Sequence, residues 1–208
     1  MLTALIAYVI GSVPTGYLVA RARGVDIRAH GSGNIGATNV LRVLGKPAGI
    51  FVLVADALKG AAAVLLAPGV FGDWVSPEEV RLYLPLVSGI GAILGHTYTF
   101  WLRFQGGKGV ATSAGVLAAL VPVAFLITLA TWILVIAVSR YVSLGSLVAA
   151  VVLPFATAFT GAHWPRVALT ATIGLLVIWR HRGNLQRLRA GTERRLGSPA
   201  PANPVPPP

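Results

Sequence analysis

Val110-Ala-Thr-Ser-Ala-Gly-Val-Leu-Ala-Ala-Leu-Val-Pro122-Val-Ala-Phe-Leu-Ile-Thr-Leu-Ala-Thr-Trp-Ile-Leu-Val-Ile-Ala-Val-Ser139 carries no charge and a single proline. As one helix it would extend about 45 Å at 1.5 Å per residue, against a hydrocarbon core of about 30 Å. It fits a bilayer either as one strongly tilted or kinked helix, or as two helices meeting at Pro122.

Charge on the flanking segments separates the two. With a break at Pro122 the apolar runs make seven spans, at 2–20, 48–67, 82–102, 110–121, 122–139, 144–162 and 167–180. Segments 21–47, 103–109, 140–143 and 180–208 then share one side and hold fourteen Lys and Arg, against Arg81 and Arg166 on the other. Without the break the basic residues divide eight and eight. Cytoplasmic segments of membrane proteins are rich in Lys and Arg, so the biased arrangement is expected, with the N-terminus outside and the C-terminus in the cytoplasm. The first charges, Arg21 and Arg23, follow the first apolar run rather than precede it. That order suits a retained helix rather than a signal peptide.

Composition agrees with lipid as the solvent. The 208 residues are 55% hydrophobic and 11% charged, with mean hydropathy +0.76; a soluble domain carries about 25% charged residues. The net charge of +11 would suggest nucleic acid in a soluble protein. Here the basic residues lie between apolar runs, which makes them orientation signals, and no nucleic-acid partner is expected. The absence of cysteine excludes disulfides and thiolate metal sites. The expected architecture is an all-α integral membrane protein of one domain, residues 1–196, followed by a disordered Pro-rich tail, 197–208.

Polar chemistry gathers on the four expected cytoplasmic segments. The first reads His30-Gly-Ser32-Gly-Asn34-Ile-Gly-Ala-Thr38-Asn39, followed by Arg42 and Lys46. Its glycines let backbone N–H groups approach an anion, and Arg42 offers a planar fork to phosphate. A flexible loop obeying the orientation rule would read the same way. The second is Arg103-Phe-Gln-Gly106-Gly107-Lys108-Gly109-Val-Ala-Thr112, a phosphate cradle in its ingredients, with a helix N-terminus just beyond. It lacks the first glycine of a Walker A loop and a preceding strand, so ATP hydrolysis is unsupported. The third, Ser139 to Ser146, reads equally as a Ser-capped turn. In the fourth, Trp179 to Glu193, His181 is either a base or an interfacial residue, and the arginines suit anionic headgroups. Within the second span, Asp56 and Lys59 lie three residues apart on one face, close enough to pair, either lining a site or locking helices. His96, near the end of the third span, is a candidate for a similar structural part.

The runs Gly11-Ser-Val-Pro-Thr-Gly-Tyr-Leu18, Gly31-Ser-Gly-Asn-Ile-Gly-Ala-Thr-Asn39 with Arg42, Asp56-Ala-Leu-Lys-Gly60, Gly106-Gly-Lys-Gly-Val-Ala-Thr112 and His181-Arg-Gly-Asn-Leu-Gln-Arg-Leu188 closely resemble the bacterial acyl-phosphate:glycerol-3-phosphate acyltransferases, the PlsY family. The resemblance covers residues 1–196 in order and spacing. It implies a seven-helix bundle in the bacterial inner membrane with a cytoplasmic active site. The implied reaction moves a fatty acyl group from acyl phosphate to the 1-position of glycerol 3-phosphate, yielding lysophosphatidic acid for phospholipid synthesis. No metal or other cofactor is implied; the functional partner would be the phosphate acyltransferase that makes acyl phosphate. By motif, Ser32, Arg42, His181 and Asn184 take catalytic roles. Asn34, Asn39, Gly106, Gly107, Lys108, Gly109 and Ser146 take substrate-binding roles, and Glu193, Asp56 and Lys59 structural ones.

Acyl phosphate is an activated anhydride, so the chemistry needs chiefly positioning and anion stabilisation. Direct transfer, with the substrate phosphate or His181 accepting the proton, is favoured over a Ser32 acyl-enzyme. A transporter of a phosphorylated solute is the reading from another class, but its site would lie near the membrane midplane. An intramembrane serine protease would need its Ser and His on facing helices, whereas Ser32 and His181 fall on loops.

Overall fold

A computed structural model describes residues 2–75 and 83–198, with side chains from 67 to 75 left aside. Among the described residues the chain is helical and holds no strand. It packs as two compact units, one reaching from the N-terminus to Val116 and the other from Leu117 to Ser198. Among the described residues the α-helices are α1 Leu2–Ser12, α2 Thr15–Arg21, α3 Ala37–Leu44, α4 Lys46–Val75, α5 Leu84–Thr97, α6 Val110–Leu120, α7 Pro122–Ser139, α8 Val142–Phe159, α9 Trp164–Arg180 and α10 Arg182–Arg189.

In the first unit, the span expected at 2–20 is two helices. Pro14 has no N–H to continue the ladder, so α1 stops at Ser12 and α2 restarts at Thr15. Broken helices survive in lipid only where the freed backbone groups find partners. Here Thr99 Oγ1 donates to the Ser12 carbonyl at 2.6 Å and Lys59 Nζ to the Val13 carbonyl at 2.8 Å. α1 lies against α5 through glycine: a methyl on Gly11 would overlap the Ala92 backbone, and one on Gly95 the Tyr8 carbonyl. Small residues let backbones approach in this way where lipid removes the hydrophobic drive between helices.

The segment 21–47, read as a loop, is folded. A 3-10 turn at Ile27–Ala29 and helix α3 bring Ile27, Ile35 and Val40 into one buried cluster with Ala20, Val25, Ala48, Val52 and Leu102. The amphipathic spacing of α3 explains why it folds, and the flexible-loop reading falls. The second span also runs past its expected end. Pro68 and Gly69, just beyond that end, lie inside α4, which reaches Val75; membrane helices tolerate both residues. The third span ends early, at Thr97, where the chain turns through a 3-10 turn at Phe100–Leu102. Arg103 and Phe104, both at positive φ, complete that turn.

The second unit opens on the break expected at Pro122. α6 stops at Leu120, Val121 leaves helical geometry at φ −143°, and Pro122 begins α7. α7 packs along α8, and α8 along α9. Gly145 rests on Trp132 and Ile136, and Gly174 on the Ala150 carbonyl. The outward faces are apolar: Leu134, Val138, Phe155 and Phe159 are exposed, while Ser143, Ser146, Thr157 and Thr170 are buried. That inversion of the water-soluble pattern is what a lipid solvent selects. After α10 the chain returns to the α7–α8 turn, where Leu196 N–H donates to the Arg140 carbonyl and the Arg140 guanidinium to that of Leu196.

Among the described residues, four stretches are long and apolar enough to cross a bilayer: Leu2–Arg21, Lys46–Leu66, Pro122–Ser139 and Val142–Phe159. α5, α6 and α9, with 14, 11 and 17 residues, are shorter. Glu78, Glu79, Arg81 and the tail from Pro199 lie outside the described residues.

Candidate functional site

In the first unit the loop before α3 is organised by Asn39, which is buried. Its amide nitrogen donates to the carbonyls of Ile27, His30 and Asn34 at 3.3, 3.0 and 2.9 Å. Its oxygen accepts from Ser32 N–H at 2.8 Å. Gly31 takes φ +63°, and a methyl there would overlap that same oxygen. Asn34 in turn accepts from Gly36 N–H at 2.8 Å. Both asparagines, expected to touch substrate, spend these atoms shaping the backbone. Ser32 is left exposed on the loop and Arg42 half-buried one helical turn beyond Asn39. Asp26 serves as N-cap of the 3-10 turn and makes two bonds to the Arg28 guanidinium, at 3.0 and 2.8 Å. The Arg28 side chain holds its carboxyl down to about 2, which disqualifies it as a base near Ser32.

The glycine loop is fastened to the end of α5. A helix leaves its last carbonyls without intrahelical donors; here Gly106 N–H reaches the Thr97 carbonyl at 3.0 Å and Gly107 N–H that of His96 at 3.1 Å. Gly109, at φ +82°, turns the chain into α6, which places half-buried Lys108 two residues before that helix's first turn. Thr97 and Ser113 hydroxyls face the Gly109 turn and, among the described residues, are buried with no hydrogen-bond partner. Sequence reading passed over both, because lone hydroxyls in apolar helices give no signal of their own.

Asp56 is buried and the Lys59 side chain nearly so, 2.7 Å apart, with His96 Nδ1 3.0 Å from Lys59 Nζ and Thr15 Oγ1 donating to Asp56 at 3.0 Å. The pair joins α4 to the α1–α2 break and to α5.

In the second unit His181 is buried at the junction of α9 and α10, so the interfacial reading falls. Its Nδ1 lies 2.8 Å from the Val177 carbonyl. A carbonyl only accepts, so a proton sits on Nδ1, and in the neutral ring Nε2 is the acceptor nitrogen. Asn184 is one turn along on α10 and donates to Glu193 at 2.6 Å. Glu193 also accepts from Ser143 at 2.8 Å and from Arg187 at 2.7 Å. Burial raises the Glu193 carboxyl, and the three donors, Asn184 first, outweigh it and leave it below the ordinary range. Ser146 is buried, donating to the Val142 carbonyl and accepting from Trp132 Nε1 at 3.3 Å. Ser143, not singled out from sequence, is the serine engaged with the Glu193 cluster.

The family model described as glycerol-3-phosphate acyltransferase matches residues 1–191. The chain belongs to this family. A glycerol-3-phosphate acyltransferase of Thermosynechococcus vestitus is 49% identical over 200 residues, covering 95% of each chain. One from Geobacter metallireducens is 52% identical over 192 residues, covering 91% of this chain and 94% of the relative. Among solved structures, the fold is similar to that of PlsY, an integral membrane glycerol 3-phosphate acyltransferase, in its glycerol 3-phosphate form (TM-score 0.85, 38% identity). Its lysophosphatidic acid form agrees at TM-score 0.83 and 37% identity, each covering 95% of both chains. The runs that carry the resemblance fall on structural hubs: the Asn39 latch, the Asp56–Lys59 pair, the fastened glycine loop and, through Asn184, the cluster around Glu193.

Proposed function

We propose that the protein transfers a fatty acyl group from acyl phosphate to the 1-hydroxyl of glycerol 3-phosphate, releasing lysophosphatidic acid and inorganic phosphate. The observation that carries this is the glycine loop held on the end of α5, with Lys108 beside the N-terminus of α6. The Gly106 and Gly107 N–H groups are taken by α5 carbonyls, so it is the start of α6, with its N-terminal N–H groups and helix dipole, that favours a phosphate there; the PlsY relative is described in a glycerol 3-phosphate form. Arg42 supplies a second cationic anchor, as two phosphate-bearing substrates require. The hydroxyl oxygen bonds to the acyl carbon, the bond from that carbon to the phosphate oxygen breaks, and phosphate leaves. The hydroxyl proton passes to the substrate phosphate or to His181 Nε2, while Ser32 donates a hydrogen bond. Asp26 is too acidic to compete.

Transfer is direct. Seven spans, with the N-terminus outside and the site facing the cytoplasm across the inner membrane, follow from the fourteen-to-two bias of basic residues. The phosphate acyltransferase that makes acyl phosphate is the functional partner. Purified protein supplied with acyl phosphate and labelled glycerol 3-phosphate is expected to form lysophosphatidic acid by sequential kinetics. No product, alongside solute uptake into liposomes, would overturn the assignment in favour of a transporter; ping-pong kinetics or a trapped acyl-serine would overturn direct transfer alone.

A further inference from the structure

The last turn of α5 makes two kinds of contact with the glycine loop. The carbonyls of His96 and Thr97 accept from Gly107 and Gly106, and the His96 ring lies against Gly107 itself. A methyl on Gly107 would overlap His96 Nε2, with Cε1 and Cδ2 the next nearest atoms. The Nε2 edge of the ring therefore faces the loop, and only glycine leaves room for it. The opposite edge is fixed from below. Nδ1 is 3.0 Å from Lys59 Nζ and 3.7 Å from Asp56 Oδ1. Lys59 is itself held by Asp56 and by the Val13 carbonyl, and Asp56 by Thr15. An ammonium only donates, so Nδ1 accepts from Lys59 and the ring proton is left on Nε2, toward the loop.

We propose that His96 is a positioning residue for the glycine loop, oriented by the Asp56–Lys59 pair, and sets the height of Gly106 to Gly109 for the phosphate of glycerol 3-phosphate. The buried pair then does more than lock helices: a charged strut runs from the Pro14 break, through His96, to the backbone that meets the substrate. This rests on the reading that the loop binds glycerol 3-phosphate. A ring whose Nε2 edge shapes the loop affects capture of that substrate and leaves the acyl donor alone. A ring that merely satisfies Lys59 affects stability alone.

Two conservative variants divide these roles. In His96→Gln the amide occupies the Nε2 side of the lost ring; in His96→Asn it occupies the Nδ1 side. In full-length protein, His96→Gln is expected to keep the KM for glycerol 3-phosphate within about threefold, and His96→Asn to raise it about tenfold. The KM for acyl phosphate should be unchanged in both, and kcat should fall less than the KM rises. Thermal unfolding in detergent accompanies each assay. Equal values of KM, the reverse order, or a rise for both substrates that tracks lost stability would overturn the proposal; a variant that does not fold counts with lost stability. Lys108→Ala is the control for the underlying reading. An unchanged KM there sinks glycerol 3-phosphate binding at the loop, whereas a raised KM with indifferent His96 variants sinks only the positioning role.

Discussion

Lys59 Nζ donates to the carbonyl of Val13 at 2.8 Å, so a charge buried in α4 serves the backbone that Pro14 breaks between α1 and α2. The same ammonium sits 2.7 Å from Asp56. One residue thus answers two costs that lipid would otherwise impose, an unpaired carboxylate and an orphaned carbonyl.

Removing that charge should be severe. Lys59→Met leaves Asp56 buried without its counter-ion, and breaking such a pair costs about 3–5 kcal/mol. Thermal unfolding in detergent checks this. The double variant Asp56→Asn, Lys59→Met should be less destabilised than Lys59→Met alone, since no uncompensated charge remains.

Asn39→Asp is nearly isosteric yet exchanges an amide donor for a carboxylate facing three carbonyls. Losing these bonds should cost about 2–4 kcal/mol. Activity should fall further than the folded fraction, because Ser32 N–H hangs on the same side chain. Equal losses of activity and of folded protein would argue against a link between the latch and Ser32.

The Glu193 cluster predicts a pH dependence. Its folded-state carboxyl titrates below the ordinary range, so its contribution is present above the unfolded-state value near 4.5 and is lost as pH falls through the lower folded value. Glu193→Gln should destabilise by about 1–3 kcal/mol at pH 7, as expected for hydrogen bonds to a charged group. The gap between variant and wild type should close below about pH 4.5. Unfolding midpoints measured from pH 7 downward test the sign.

Lys108→Ala should raise the KM for glycerol 3-phosphate more than it lowers kcat, because a cation that holds the phosphate in both ground and transition states contributes uniform binding. Steady-state kinetics with acyl phosphate saturating separate the two constants.

Much of this was legible before any tertiary contact was known. The Pro122 break was readable because a charge-free run of some 45 Å exceeds the bilayer, and α6 and α7 meet there. The Asp56–Lys59 pairing was readable because i,i+3 residues on a helix are neighbours. The split at Pro14 was not. Gly11 to Gly16 reads as tolerated helix until the partners that donate to its freed carbonyls, Thr99 and Lys59, are found 87 and 46 residues away. α3 was lost in the same way, because a two-turn helix between glycines is too short to announce itself.

Sequence alone therefore determined that the protein is a membrane protein with polar motifs at its helix ends, because hydropathy and helical spacing are local properties. It determined the family too, because the motifs keep their order and spacing. Only the tertiary structure decided what those motif residues hold. Asn39 is a latch inside its loop, Glu193 gathers Ser143, Asn184 and Arg187, and His96 stands between the buried ion pair and Gly107. Each of these turns on hydrogen bonds or contacts made between distant parts of the chain, which no local pattern encodes. The physical reason is the same in every case: a polar group withdrawn from water must find its partner within the protein, and the fold determines which one is in reach.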